Sequence, residues 1–204
     1  MTDEYFTADL HLKHEKVAQL RGFNSSLEHD AHILRQIAAL PRRSTLWVLG
    51  DVTLGSLDHV LEDLALREVI HEQRLDARLV SGNHDGCHPM HRRSQPSRVK
   101  HLSVFRSVQE SASLRENGRT VLLSHFPYQG AGDHTEEERC EQWRLPNLGA
   151  PLIHGHTHQD HPVDLTRPNS VCVSWDAWRR IPSRREVMAQ FGMNWPHLGV
   201  GLNE

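Results

Sequence analysis

Five short apolar runs in this chain each end in a cluster of side chains that can bind metal ions. The runs cover residues 4–8, 45–49, 78–81, 119–124 and 152–154, and their composition predicts buried strands. The clusters that follow are Asp9-Leu10-His11, Gly50-Asp51, Gly82-Asn83-His84-Asp85, Ser124-His125 and Gly155-His156-Thr157-His158. Because parallel strands end at a shared edge of the sheet, we expect the clusters to meet there. The pattern predicts an α/β fold with a metal site at the strand ends.

Helices are expected between these strands. They are predicted over residues 13–20, over 57–71, over 135–143, from a capping box at Ser25 and Glu28 to residue 40, and from a cap at Ser183 to residue 191. In the helix that begins at Ser25, one face is expected to be buried, and it carries Leu27, Ala31, Leu34 and Ala38.

The second half of the chain is expected to be richer in antiparallel strands. Residues 104–114 and 119–124 predict a strand pair joined by a turn at Glu116-Asn117-Gly118, and residues 163–165 and 171–174 predict a closing hairpin. Residues 88–100 are expected to be irregular, and the tail after Gly192 has little pattern. With no linker-like segment and no repeat, we expect one domain over residues 1–204.

Composition excludes some classes of protein and disfavours others. No stretch approaches the roughly 18 apolar residues of a membrane-spanning helix, and the acidic start at Met1-Thr2-Asp3-Glu4 predicts no secretory signal. Cys87, Cys140 and Cys172 are odd in number and widely spaced, which favours a reduced, cytoplasmic protein. The net charge of −3 argues against a stable nucleic-acid complex, whereas a small phosphorylated substrate is compatible with it.

The first two clusters offer carboxylates and one imidazole. Alternate residues of an extended strand share a face, so Asp9 and His11 are expected to bind one ion, although Asp9 also suits a simple turn cap. Asp51 follows a buried strand and a glycine, and its carboxylate is placed to bridge two ions or, alternatively, to close a turn. Oxygen and imidazole ligands of this kind suit Mn²⁺, Fe²⁺ or Zn²⁺.

The later clusters add neutral ligands. Asn83 supplies an oxygen without charge, His84 is expected to reach a phosphate or its leaving group, and Asp85 is expected to orient the His84 imidazole. The alternative for this cluster is an ordinary helix-capping turn. His156 and His158 are two residues apart, so extended backbone would place both on one side, but the chain has 17 histidines and chance pairs occur. His125 by itself also suits a lone core histidine.

Taken in order, the clusters make the sequence resemble the calcineurin-like metallophosphoesterases, over positions 9 to 158. The resemblance implies a four-layer α-β-β-α sandwich with two divalent ions at the strand ends. It implies that Asp9, His11 and His158 hold one ion, that Asn83, His125 and His156 hold the other, and that Asp51 bridges them. It also implies that His84 contacts the phosphate and assists the leaving group, with Asp85 orienting it.

Within that family the chain is similar to the small bacterial and phage phosphoesterases, on Asp9-x-His11-x-x-His14, Ser124-His125-Phe126-Pro127 and Ser174-Trp175-Asp176-Ala177-Trp178. His14 is a candidate substrate contact or an ordinary residue at a helix start. The segment Val52-Thr53-Leu54-Gly55 differs from the Asp-Arg-Gly of related protein phosphatases, which disfavours a protein substrate.

The expected function is hydrolysis of small phosphodiesters, such as 2′,3′- or 3′,5′-cyclic nucleotides, by attack of a metal-bridging hydroxide. Asn83 and His84 are the expected substrate contacts, and Mn²⁺ is the favoured metal, with Fe, Zn or Ni as alternatives. A phosphomonoesterase with the same site, a non-catalytic scaffold of the same fold and a histidine-rich metal buffer remain the alternatives.

Overall fold

Two four-stranded sheets form the centre of the computed structural model, which describes residues 3–54, 65–133, 135, 137–167 and 169–191. The first sheet is parallel throughout, in the order β1-β2-β3-β4. Its strands are β1 (Glu4–Thr7), β2 (Thr45–Val48), β3 (Asp76–Val80) and β4 (Ser107–Gln109). The second has the order β5-β6-β7-β8, in which only β5 and β6 pair antiparallel. Its strands are β5 (Ser111–Glu116), β6 (Arg119–Ser124), β7 (Leu152–His154) and β8 (Ser170–Cys172).

The described helices surround these sheets. They are α1 (Glu15–Leu20), α2 (Ser26–Ala38), α3 (Ala65–Gln73), α4 (Ser94–His101), α5 (Trp175–Trp178) and α6 (Arg184–Phe191). Over the described ranges, no helix has the length and the apolar content required to cross a bilayer.

Side chains of β2 alternate between two apolar cores. Leu46 and Val48 pack in the core that also contains Ile33 of α2 and Leu66 of α3, whereas Trp47 packs with the second sheet. This follows from the two-residue period of a strand, which sends successive side chains to opposite faces. Helices therefore cover one face of the first sheet and the second sheet covers the other. The predicted α/β sandwich of two sheets with flanking helices is confirmed.

The two sheets are joined at the edge where β1 and β8 lie. Ala8 pairs with Ser174, with a hydrogen bond of 3.0 Å from the Trp175 backbone N–H to the Ala8 carbonyl. Helix α6 packs against both β1 and β8. The segment after β1 therefore runs beside the segment after β8, although the two are far apart in sequence.

Several predicted elements agree with the structure. Strands over 119–124 and 152–154 match residue for residue, and the turn between β5 and β6 has positive φ at Asn117 and Gly118, as a two-residue hairpin turn requires. Ser183 caps α6 in a full capping box, because its N–H donates to Glu186 at 2.8 Å while its hydroxyl accepts from the Glu186 N–H. The predicted helix 57–71 is seen as α3 from residue 65; residues 57–64 and the tail after Gly192 lie outside the described part.

Three predictions about helices were wrong in detail. Residues 88–100 are not wholly irregular, since α4 begins at Ser94; its buried face carries Ser97 and His101, so no apolar periodicity marks it. The buried face of α2 carries Ile33 and Ile37, while Leu27 is exposed. Of the described residues in 135–143, only the short 3₁₀ turn Glu141–Trp143 is helical.

Two strand predictions and one capping prediction also differ. Segment 104–114 is two strands in different sheets, because β4 pairs with β3 while β5 pairs with β6. Strand β8 pairs parallel with β7, so the predicted hairpin with 163–165 is not formed. Ser25 accepts from the Glu28 N–H as predicted, but the Glu28 carboxylate turns to the N–H of Asn24, one residue earlier. Alternation along a strand reports burial but not which neighbour it pairs with.

Candidate metal centre

Five of the predicted ligands lie in left-handed backbone just beyond the strands. Asp9, His11, Asp51, His156 and His158 have φ values of 56°, 46°, 56°, 69° and 46°. Residues other than glycine adopt this region rarely, and they do so mainly where the surrounding structure compels them. The extended-strand geometry expected for the two Asp-x-His and His-x-His motifs is therefore wrong. Their side chains converge through local turns instead.

Pairing between backbones continues past the ends of β1 and β2. The N–H of Asp9 donates to the carbonyl of Gly50 at 3.0 Å, and the N–H of His11 donates to the carbonyl of Asp51 at 3.0 Å. The intervening Leu10 is fully buried in the helix-side core. Two ligand segments thus run side by side, with their ligands on one side and their apolar residues in the core.

All three glycines of the motifs stand where no side chain fits. A Cβ atom on Gly50 would lie 2.4 Å from Nδ1 of His125. A Cβ atom on Gly82 would lie 2.3 Å from Oδ1 of Asp51, and a Cβ atom on Gly155 would lie 2.5 Å from the Cβ of Ala8. Real Cβ atoms do not approach other atoms so closely. The close contact between ligand segments therefore depends on the missing side chains.

The donor atoms fall into two neighbouring sets. In the first, the ligand atoms of Asp9, His11 and His158 lie within 4.8 Å of one another. In the second, Nε2 of His125 is 3.1 Å from Oδ1 of Asn83 and 3.2 Å from Nδ1 of His156.

Asp51 lies between these sets. Its Oδ2 is 3.9 Å from Nε2 of His11 and 3.5 Å from Nε2 of His125. All seven predicted ligands are thus brought together, and the position of Asp51 is the one that a bridging ligand requires.

The orientation of the imidazoles fits a cation. Nδ1 of His125 lies 2.8 Å from the carbonyl of Leu49, which can only accept, so that nitrogen carries the proton and Nε2 presents its lone pair. Nε2 of His156 likewise faces the carboxylate of Asp133 at 3.1 Å, which leaves the lone pair on Nδ1. Two lone pairs therefore face each other across 3.2 Å. Such an arrangement is repulsive unless a positive ion binds both nitrogens.

Burial also makes a charged carboxylate or a charged imidazole energetically unfavourable at this site. Burial, followed by the charges of Asp85 and Asp9, raises the pKa of Asp51 well above its ordinary 3.8. Burial, followed by the charge of His158, lowers the pKa of His11 well below 6.5. Bound divalent ions would favour the ionised carboxylate and the neutral imidazole together. The donor set and its electrostatics therefore fit a pair of divalent metal ions.

A cleft of about 490 Å³ opens over the donor atoms. The half-buried His84 lines it, and the backbone N–H of His84 donates to Oδ1 of Asp51 at 2.8 Å. Burial, followed by the charge of His125, lowers the pKa of His84 below 6.5. Nδ1 of His14 caps α1 by accepting from the Val17 N–H at 3.4 Å, as expected of a residue at a helix start, and its side chain also lines the cleft.

Asp85 does not make the predicted contact with the His84 imidazole. Its Oδ2 accepts from the N–H groups of Asp51 at 2.9 Å and Gly82 at 2.8 Å, and its Oδ1 accepts from the N–H of Val52 at 3.0 Å. These three backbone donors hold the carboxylate, and no hydrogen bond joins it to the imidazole. Asp85 instead clamps two ligand segments together, so its predicted catalytic role is corrected to a structural one.

Sequence reasoning missed four side chains that support the ligands. They are Arg21, Asp133, Arg144 and Asp176. Asp176 lies in the Trp-rich stretch that carried part of the resemblance, whereas nothing near Asp133 or Arg144 signals a contact with a motif. Only the tertiary structure brings them to the site.

Comparison with known proteins agrees with this geometry. A family model described as calcineurin-like phosphoesterase matches residues 5–160. The Gene 66 protein of Mycobacterium phage L5 is 38% identical over 199 residues, covering 92% of this chain and 93% of that protein. The Gene 66 protein of Mycobacterium phage D29 is 36% identical over 194 residues, covering 92% and 94%.

Among solved structures, a protein of unknown function from Aquifex aeolicus, AQ665, superposes with a TM-score of 0.70 at 22% identity. The match covers 93% of this chain and 100% of that one. At this identity the likeness supports the fold alone.

Proposed function

The chain belongs to the calcineurin-like phosphoesterase family, and on that premise we propose that it hydrolyses small phosphodiesters, cyclic nucleotides of the 2′,3′ or 3′,5′ type among them. Family membership and the donor set make it a metal-dependent phosphoric ester hydrolase. The observation that carries the proposal is the position of Asp51 between the two donor sets, within 3.9 Å of His11 and 3.5 Å of His125.

The residues would hold two divalent ions, for which we favour Mn²⁺. Asp9, His11 and His158 would bind one, and Asn83, His125 and His156 the other, with Asp51 shared. When bound, such ions neutralise charge on phosphoryl oxygens and lower the pKa of water.

His84 is the side chain placed to act on the substrate from the wall of the cleft. Its ring lies edge-on to that of His11, with centroids 5.4 Å apart, and its backbone is tied to Asp51. Its lowered pKa keeps the imidazole neutral near pH 7, so that it donates one hydrogen bond to a phosphoryl or leaving-group oxygen. Asn83 supplies a ligand oxygen and borders the same space.

The charges and apolar groups of the cleft favour a diester. Among its described lining residues, Arg21 is held by Asp176, while Lys16 and Arg179 are exposed to solvent. The lining carboxylates Asp51, Asp160 and Asp176 match these three cations in number, so the side chains add little net positive charge to the cleft. A diester phosphate carries one negative charge and a monoester up to two, so such a cleft suits the diester better. Val17 and Leu20 of α1 add an apolar wall that an organic substituent can contact.

The proposal also covers the binding partners of the protein and its location in the cell. The net charge of −3 supports a small phosphorylated substrate and no stable nucleic-acid complex. An odd number of widely spaced cysteines supports a reducing compartment such as the cytoplasm.

Hydrolysis of bis(p-nitrophenyl) phosphate and of p-nitrophenyl phosphate tests the proposal. The metal-stripped protein is given Mn²⁺ back, and Asn83→Ala serves as the control that lacks a ligand. We expect preference for the diester, lost in Asn83→Ala, and turnover of 2′,3′- and 3′,5′-cyclic AMP is measured next. Preference for the monoester would make the protein a phosphomonoesterase. No turnover with two bound ions would favour the scaffold.

A further inference from the structure

Each histidine of the Gly155-His156-Thr157-His158 motif is backed by an aspartate. Nδ1 of His158 lies 2.7 Å from Oδ2 of Asp176, and Nε2 of His156 lies 3.1 Å from Oδ2 of Asp133. In both cases this nitrogen is the one that faces away from the donor set. Asp176 lies in α5 and Asp133 lies in a loop after β6, and neither belongs to the seven ligands.

Arg21 holds the first aspartate and the first ligand segment together. Its Nε and Nη2 donate to the two oxygens of Asp176 at 2.8 and 2.7 Å. Nη2 also donates to the carbonyl of Asp9 at 2.7 Å, and Nη1 donates to the carbonyl of Leu10 at 3.2 Å. The Arg21 side chain is 2% exposed, so these bonds are shielded from water. Arg21 therefore fixes both the partner of His158 and the left-handed turn at Asp9.

Arg144 plays the matching part on the other side. Its Nη2 donates to Oδ2 of Asp133 at 2.8 Å, and both side chains are fully buried. Its Nη1 and Nε donate to the carbonyls of Gly132 at 2.9 Å and Arg139 at 3.1 Å. The loop that carries Asp133 is thus held in place by the same guanidinium that binds its carboxylate.

We propose that Asp176–Arg21 and Asp133–Arg144 are two positioning pairs, one for each metal ion, which set the tautomer and direction of His158 and His156. A carboxylate that accepts the outer N–H leaves the lone pair on the nitrogen facing the ion, and it makes that imidazole a stronger ligand. The proposal rests on the two-ion site of the proposed function. It adds that the binding of each ion depends on its own aspartate–arginine pair.

Independent support predicts that each pair affects one ion. Loss of such an outer partner typically weakens metal binding by about 10–100-fold. Asp176→Asn should therefore weaken the ion held by Asp9, His11 and His158. Asp133→Asn should weaken the other by a similar factor.

A crossed design assigns each effect to one ion. Mn²⁺ is titrated into metal-stripped protein, and free Mn²⁺ is followed by electron paramagnetic resonance. In an Asn83→Ala background, which retains the first set, Asp176→Asn should weaken the remaining ion about 10–100-fold while Asp133→Asn leaves it within about twofold. In a His11→Ala background the effects should exchange. Asp76→Asn is the matched control. It removes the ion pair between Asp76 and Arg78, and Asp76 begins β3, at the end of the strand opposite to the donor atoms.

The outcomes separate the pairs from the proposed function. Wild-type protein that binds no pair of ions tightly would refute the two-ion site itself. Wild-type binding of two ions, with Asp176→Asn and Asp133→Asn both unchanged and folded, would refute only the positioning pairs. Equal weakening by both variants in both backgrounds would show a general structural role and also overturn the proposal. If Asp176→Asn does not fold, Arg21→Lys, which keeps the charge but not the two-pronged contact, should weaken the same ion.

Discussion

Asp85→Asn tests the corrected role of the aspartate that closes the Gly-Asn-His-Asp motif. An amide can keep its oxygen on the N–H groups of Asp51 and Gly82, but its NH₂ would then face the N–H of Val52 across a distance of 3.0 Å in the native structure. The Val52 N–H would be left without an acceptor, at about 1–3 kcal/mol, and the two remaining bonds would lose about 1 kcal/mol each without the charge. Removal of the Asp85 charge also relieves its repulsion of the Asp51 carboxylate, which offsets part of this loss of stability.

We expect a net loss of about 3 kcal/mol from the free energy of unfolding of the metal-free protein. For a chain of this length that lowers the melting temperature by about 6–12 °C. Because the clamp joins the segments of Asp51 and Asn83, Mn²⁺ affinity should fall as well, and turnover should fall by the same factor for good and poor leaving groups.

Thermal unfolding, Mn²⁺ titration and a series of aryl phosphodiesters measure these three quantities. The clamp would be refuted by an unchanged melting temperature and unchanged Mn²⁺ affinity, combined with a rate loss that grows for poor leaving groups. That combination would restore the predicted action of Asp85 through His84.

Three further changes test other parts of the site. Gly82→Ala would displace Asp51 and should abolish Mn²⁺ binding and turnover, whereas Gly118→Ala, at a hairpin with open space around it, should keep both. His84→Ala should keep Mn²⁺ affinity but slow poor leaving groups most; a uniform loss would remove its role at the leaving group. Burial lowers the pKa of His88 to about 4, and protonation would break its bond from the Met90 N–H. Since the unfolded chain takes up that proton first, stability should fall as pH drops from about 6.5 to about 4, and less steeply in His88→Gln, as measured by denaturant unfolding.

Local signals in the sequence were sufficient for much of the fold. The composition of runs such as 119–124 and 152–154 predicts buried strands. The pair Ser183 and Glu186 predicts the start of a helix, because their contact lies within one turn. Where the signal is not local, prediction fails. Helix α4 buries Ser97 and His101 in place of an apolar stripe, and the change of sheet between β4 and β5 depends on which strands lie nearby.

The same division applies to the metal centre. The sequence predicts the types of the candidate ligands and their order, because each cluster follows its own strand. Strands of a parallel sheet end at one edge, where the clusters meet. The left-handed turns at Asp9 and His158, and the pairing of Arg21 with Asp176 across 155 positions, leave no trace in any local pattern. Buried carboxylates and guanidinium groups need partners, and only the folded chain decides which distant segment supplies them. The sequence alone determined which side chains are the candidate ligands, and the tertiary structure decided how those side chains are held.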